Sequence, residues 1–246
     1  MRSGANRCAM REAALVVEHL AKRFDRKAAL ADVSFTLDGG EIVGLIGPNG
    51  AGKSTVFSIL CGLLRPDAGS MRYRGAPLGR DRGRIVSLIP ETPDVYPLLT
   101  VWEHLVFVAR LCGLAAGWEA RGAALLERFD MLAARDMLGS ELSKGMRQKT
   151  LVAATIVADT PVLLLDEPMI GLDPLGQRGL RDVLGDLRAA GIAIMLSTHQ
   201  LETAETLCDR VVILNKGNVV ASGTIEEMRS LGSGTLEDVF LEITRP

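Results

Sequence analysis

The segment Ile42-Val43-Gly44-Leu45-Ile46 carries no polar side chain at any position. Strands with one wet face alternate apolar and polar residues, so a run without alternation predicts a strand buried on both faces. Upstream, Leu15-Val16-Val17 and Ala29–Leu37 read as further short strands, and Asp38-Gly39-Gly40 supplies a turn into Glu41–Ile46. Downstream, a glycine-rich loop leads into an apolar helical stretch from Lys53 to Leu64, which Pro66-Asp67-Ala68-Gly69 stops. Ser70–Arg74 then reads as another strand.

Residues 100–139 are expected to be helical throughout. Thr100-Val101-Trp102-Glu103 has the form of a capping box, and Val101, Leu105, Val108 and Leu111 recur at helical spacing. Beyond Asp159 strand and helix alternate, with a strand at Val162–Leu165, a helix from Pro174 to Ala190 and a strand at Ile192–Ser197. Leu180, Val183, Leu184 and Leu187 form one stripe of that helix, and Gly191 stands where a left-handed terminating residue belongs. Strand–helix alternation implies a parallel sheet with helices on its faces. The expected fold is therefore an α/β core with a mostly parallel sheet, a small β-rich edge and a helical insertion beginning near residue 92.

Composition narrows the classes of function. The chain has 246 residues, of which 48% are hydrophobic and 24% charged, an ordinary soluble composition. Its net charge of −2 predicts no nucleic-acid partner, since that would call for a basic face. Cys8, Cys61, Cys112 and Cys208 form no C-x-x-C pair and are expected to behave as small apolar residues in a reducing compartment. No apolar run approaches the roughly 18–20 residues that span a bilayer, and Arg11 and Glu12 interrupt any signal-peptide core, so a membrane role would pass through a partner. Residues 1–13 read as a loose tail.

Five segments carry candidate chemistry. Gly47-Pro48-Asn49-Gly50-Ala51-Gly52-Lys53-Ser54-Thr55 matches G-x-x-x-x-G-K-[ST] between a buried strand and a helix. Glycines let successive N–H groups turn toward phosphate oxygens, and the helix N-terminus adds partial positive charge. Lys53 is placed to reach the β- and γ-phosphates and Ser54 to ligate Mg²⁺. Val162-Leu163-Leu164-Leu165-Asp166-Glu167-Pro168 is an apolar strand ending in two carboxylates, with Asp166 suited to hold the metal through water and Glu167 to activate the attacking water. Between them, Leu142-Ser143-Lys144-Gly145-Met146 places Ser143 at a helix start, where a plain N-cap and a phosphate binder are compatible readings. His199 follows the strand ending at Ser197, on the edge that faces the ligand crevice in such sheets, where a neutral imidazole can bond the γ-phosphate. Gly171-Leu172-Asp173-Pro174 reads equally well as a plain helix start, with Asp173 as its cap.

Together these segments resemble the ABC ATPase family over about residues 14–245. Gly47–Thr55 is similar to its Walker A loop, Leu142–Met146 to its signature, Leu163–Pro168 to Walker B, Gly171–Pro174 to the D-loop, and His199 to the switch histidine. The resemblance implies a P-loop NTPase core with an antiparallel β subdomain, together spanning about 14–91 and 159–246, and a helical subdomain at about 92–158. It makes Glu167, His199 and Lys53 the catalytic set. It assigns nucleotide contacts to Phe24, Asn49, Gly50, Ala51, Gly52, Lys53, Ser54, Thr55, Ser143 and Gly145, and metal contacts to Ser54, Asp166 and Glu91, with ATP and Mg²⁺ bound.

Several positions depart from the commonest pattern. Phe24 takes the place of the usual adenine-stacking Tyr, Glu91 replaces the Q-loop Gln, and the signature reads Leu-Ser-Lys-Gly-Met. That signature, Glu91 and the ending Leu236–Phe240 are similar to ATPase subunits of bacterial drug or polysaccharide exporters. The implied partners are a second ATPase subunit in a homodimer and a transmembrane permease, with the chain peripheral on the cytoplasmic face of the membrane. The alternatives are a soluble ABC ATPase acting on nucleic acid or ribosomes, and a regulatory module that holds ATP without turnover. The first usually carries paired ATPase domains or basic arms absent here, and the second typically loses the carboxylate that Glu167 supplies.

Overall fold

A computed structural model describes residues 13–25, 27–230 and 235–244. Most of the expected tail, with Cys8, lies outside the described residues. The chain opens with β1 (Leu15–Phe24), β2 (Lys27–Leu37) and β3 (Ile42–Ile46), followed by α1 (Lys53–Cys61), β4 (Ala68–Tyr73), β5 (Ala76–Pro77) and β6 (Val86–Ile89). Three helices come next: α2 (Val101–Leu111), α3 (Trp118–Arg128) and α4 (Lys144–Val157). The remainder is β7 (Val162–Asp166), α5 (Pro174–Ala189), β8 (Ala193–Thr198), α6 (Leu201–Leu207), β9 (Arg210–Asn215), β10 (Asn218–Thr224), α7 (Ile225–Ser230) and α8 (Leu236–Thr244).

Among the described residues, ten strands form one sheet in the order β5-β4-β1-β2-β10-β9-β3-β8-β7-β6. β9, β3, β8, β7 and β6 are parallel, whereas β1 pairs antiparallel with β2 and β4, and β10 turns back antiparallel on β9. The mostly parallel core with an antiparallel edge agrees with expectation, and this is the P-loop NTPase fold. β3 lies at its centre with all five residues buried. Ile42 and Ile46 enter a core with Leu105, Leu126, Val152 and Leu184 of the helices, while Val43 and Leu45 enter a second core with Leu20, Val33, Phe57 and Leu60. The period-2 geometry of a strand thus divides its side chains between two layers.

The long helix expected over 100–139 is broken. The capping box does form: Thr100 Oγ1 accepts from Glu103 N at 3.1 Å, and Glu103 Oε2 accepts from Thr100 N at 2.8 Å. Past Leu111, however, Gly113 (φ 66°) and Gly117 (φ 110°) take left-handed conformations, which end α2 and reset the chain before α3. Between α3 and α4 the chain forms only short 3₁₀ turns. Leu111, expected on the apolar stripe, is 74% exposed. α1 likewise stops at Cys61, short of Leu64, because Gly62 (φ 85°) caps it and its N–H bonds the Ile59 carbonyl. Gly191 (φ 90°) terminates α5 as anticipated. Burial pushes the Cys61 and Cys208 thiols up to about 12, as small apolar packing residues.

Candidate functional site

Parallel sheets bind ligands at the carboxyl edge of their strands. Here the loop after β3, the residues after β7 and the residues after β8 meet at that edge, and the end of β1 with the start of β2 closes one side. The cavity they enclose holds about 540 Å³ and brings together Phe24, Asn49, Gly50, Gly52, Lys53, Ser54, Thr55, Glu91, Asp166, Glu167 and His199. Lys27 and Ala29 join the lining beside Phe24, and the sequence pattern did not single them out.

The loop 47–55 is shaped by its own packing. A Cβ on Gly47 would collide with the Leu214 carbonyl oxygen, so the loop can cross β9 only without a side chain there. Gly52 takes φ 114° beside Ala29 and Leu30. Ala51 is 2% exposed and does not line the cavity; its carbonyl instead accepts from Gly217 N at 3.0 Å, fastening the loop to the β9–β10 turn. α1 starts at Gly52 with no side-chain cap and no acidic residue in its first turn. No side chain therefore competes for the N-terminal end of α1, the end of a helix that favours an anion.

Lys53 lies under this loop and is 8% exposed; its Nζ donates to the Gly47 carbonyl at 2.6 Å and to Pro48 O at 3.3 Å. Burial lowers its pKa, while the charges of Glu167, Asp166 and Glu91 oppose that shift. Across the cavity, Asp166 and Glu167 are each 7% exposed at the end of β7. The Ser197 hydroxyl donates to Asp166 Oδ1. His199 Nδ1 lies 2.7 Å from Glu167 Oε1, so the imidazole engages the carboxylate directly. Glu167 itself adopts φ 48°, an uncommon conformation for a residue with a side chain.

The oxygen donors Ser54, Asp166 and Glu91 suit a hard cation such as Mg²⁺. Among the described residues no three His, Cys, Asp or Glu side chains converge to cage an ion. A metal here would arrive with phosphate oxygens and water completing its shell, as Mg²⁺ prefers.

Ser143 and Gly145 do not line this cavity. Ser143 is the N-cap of α4, its hydroxyl accepting from Met146 N at 3.3 Å. Gly145 packs against the Gly171 carbonyl, which a Cβ would approach to 3.0 Å. Asp173 caps α5 and pairs with Lys149 Nζ at 3.0 Å, which lowers its pKa. The 171–174 turn is thus a helix start that is also bound to the helix carrying Ser143. Ser197, beside Asp166, is a further residue that the sequence did not single out, since a serine near a strand end carries no signal until the neighbouring strand is known.

Comparison with known proteins agrees with this geometry. Residues 30–170 match the family described as ABC transporter. The chain is 38% identical over 238 residues to the ABC-type transporter ATP-binding protein EcsA of Bacillus subtilis, covering 94% of this chain and 96% of that protein. It is 34% identical to the lipopolysaccharide export system ATP-binding protein LptB of Haemophilus influenzae, over 87% of this chain and 92% of the relative. A solved ATP-binding subunit of an ABC transporter superposes with a TM-score of 0.89 at 37% identity, over 94% of this chain and all of the other (100%). The chain belongs to the ABC transporter family, as an ATP-binding subunit of the kind that hydrolyses ATP.

Proposed function

We propose that two copies of this chain close around two ATP–Mg²⁺ and couple hydrolysis to export through a separate membrane-spanning protein. One observation carries the proposal: the cavity built by the loop 47–55 is open on a side that Ser143 and Gly145, the remaining phosphate-binding candidates, do not reach in the same chain. A second copy presenting the N-terminus of its α4 supplies the missing wall, and the positive dipole end of that helix favours an anion.

Within the site each residue has a distinct task. Phe24, 45% exposed, offers its ring face to the adenine, and the N–H groups of Gly50 and of Gly52 to Thr55 hold the phosphates. Lys53 exchanges its two carbonyl acceptors for β- and γ-phosphate oxygens. Ser54, Asp166 and Glu91 hold Mg²⁺, which when bound spreads the charge developing on the terminal phosphate. Glu167 orients and deprotonates the attacking water. His199 keeps the Glu167 carboxylate in place at the edge of the phosphate site.

Glu91 marks a departure with a measurable outcome. Its carboxylate offers the same hard oxygen as a glutamine carbonyl, so Glu91→Gln retains Mg²⁺-dependent hydrolysis. Glu91→Ala raises the Mg²⁺ needed for half-maximal rate by roughly tenfold, the scale seen when a ligand-orienting group is lost. Mg²⁺ titrations of ATPase activity in the three proteins check this. If Glu91→Ala matches the parent in both metal dependence and rate, the metal role fails.

No described helix is long and apolar enough to cross a membrane. The membrane side of the proposal rests on an exposed apolar face on and beside α2, where Leu98 is 83% and Leu111 74% exposed and a groove of about 660 Å³ runs along Glu103, Phe107 and Arg110. That face receives the cytoplasmic loops of the permease, placing the chain peripherally on the cytoplasmic side. LptB belongs by name to an export system, which favours the outward direction. A tagged chain is expected to retain a multi-span membrane protein from detergent extracts of its own host. Leu98→Glu with Leu111→Glu abolishes that retention while ATP binding stays at the parental level. Equal retention by both proteins would rule this face out.

A further inference from the structure

We infer that Ser197 is a positioning residue for the two carboxylates at the end of β7, an inference that rests on reading those carboxylates as the hydrolytic pair. Ser197 is fully buried at 0% exposure, and the parallel register of β7 and β8 sets it directly beside Asp166. Its hydroxyl has one proton and two lone pairs. The proton goes to Asp166 Oδ1, and a lone pair accepts from Glu167 N at 3.1 Å. The Ser197 carbonyl accepts from the same N–H at 3.2 Å. One side chain therefore grips two consecutive residues, the first by its carboxylate and the second by its backbone.

That double grip falls where the chain needs it. Glu167 sits at φ 48°, a conformation that persists only when its surroundings enforce it. Adjacent ionised carboxylates repel each other and can only accept hydrogen bonds, so each requires its own donor. Among the described residues the Ser197 hydroxyl is the hydrogen-bond donor to the Asp166 carboxylate. The Glu167 carboxylate is met by His199, two residues further along the same chain. β8 ends at Thr198 and the chain bends at His199, so Ser197 meets Asp166 from within the ladder while His199 meets Glu167 from just beyond it. Thr198 is occupied elsewhere, its Oγ1 accepting from Gln200 N at 3.0 Å. The end of β8 and the bend that follows it thus bring one hydrogen-bonding partner to each carboxylate.

The prediction separates positioning from binding and from folding. Ser197→Ala lowers kcat by roughly 10–100-fold, because small displacements of a reacting group cost that much, while KM for ATP stays within about twofold of the parental value, as expected when an interaction is lost from the chemical step rather than from binding. Ser197→Cys is close in volume but a weak donor, and it shows the same loss. Ser197→Thr retains the hydroxyl and restores turnover to within a few-fold of the parent. Steady-state kinetics on all four proteins, with thermal unfolding to confirm folding, make the test. Parental kcat in both Ser197→Ala and Ser197→Cys overturns the inference, as does a loss confined to KM. If Glu167→Gln abolishes turnover in the same series, the hydrolytic reading stands whichever way Ser197 falls; if Glu167→Gln hydrolyses normally, that reading itself fails.

Discussion

Lys53→Ala is expected to bind ATP about a hundredfold more weakly and to lose measurable turnover. The ammonium is the charge placed under the phosphate loop, and hydrogen bonds to charged groups contribute about 1.5–3 kcal/mol each. At about 1.4 kcal/mol per tenfold, that spans roughly one to two decades in affinity. Turnover falls further, because charge developing on the transferring phosphoryl group makes the same contact count for more in the transition state. The loop itself is expected to survive. Ala51 still bonds Gly217 and Gly47 still crosses the Leu214 carbonyl, so the change is local although Lys53 is buried. Equilibrium nucleotide binding, steady-state hydrolysis and the unfolding midpoint decide it, and near-parental affinity would remove the loop from the phosphate site.

Glu167→Gln has the largest effect expected without loss of binding. The amide keeps the shape and an acceptor oxygen for His199 Nδ1, now 2.7 Å from the carboxylate, but it cannot take a proton. Turnover should fall by roughly 10² or more, the contribution of a general base. Because ATP then binds and is not consumed, the closed two-chain state should accumulate, and size-exclusion chromatography with ATP and Mg²⁺ should show a species of twice the mass. The two halves fail separately. Normal hydrolysis removes Glu167 from the chemistry, whereas a dead enzyme that stays monomeric with saturating ATP removes the dimer.

What could be read from the sequence follows physical constraint. The loop 47–55 was legible because glycine is demanded where backbone crosses backbone at Gly47 and where φ is positive at Gly50 and Gly52. The β7 carboxylates were legible because they end an apolar strand, and both are buried as that context implies. The 100–139 segment misled because Leu114, Ala115 and Ala116 favour helix, and their preference hides the break that Gly113 and Gly117 impose. Strand β6 pairs with β7 and β9 with β3, both distant in sequence, so those pairings carry little local signal. Ser197 was beyond local reading for the same reason: its role exists only through the register that sets it beside Asp166.

That long-range register also governs how the chain is made. β3, the strand at the centre of the sheet, is bordered by β8 and β9, whose first residues are Ala193 and Arg210. The ribosome releases Ile46 long before either neighbour exists, and at about 5–20 residues per second the wait before β8 emerges is roughly 7–30 s. Throughout that interval an entirely apolar strand has no ladder to join, and unpaired strands of this kind seed aggregation. Synthesis of this subunit therefore depends on shielding its N-terminal third until the last parallel strands arrive. Slowed elongation or chaperone depletion strikes its yield harder than that of a protein whose neighbouring strands follow one another along the chain.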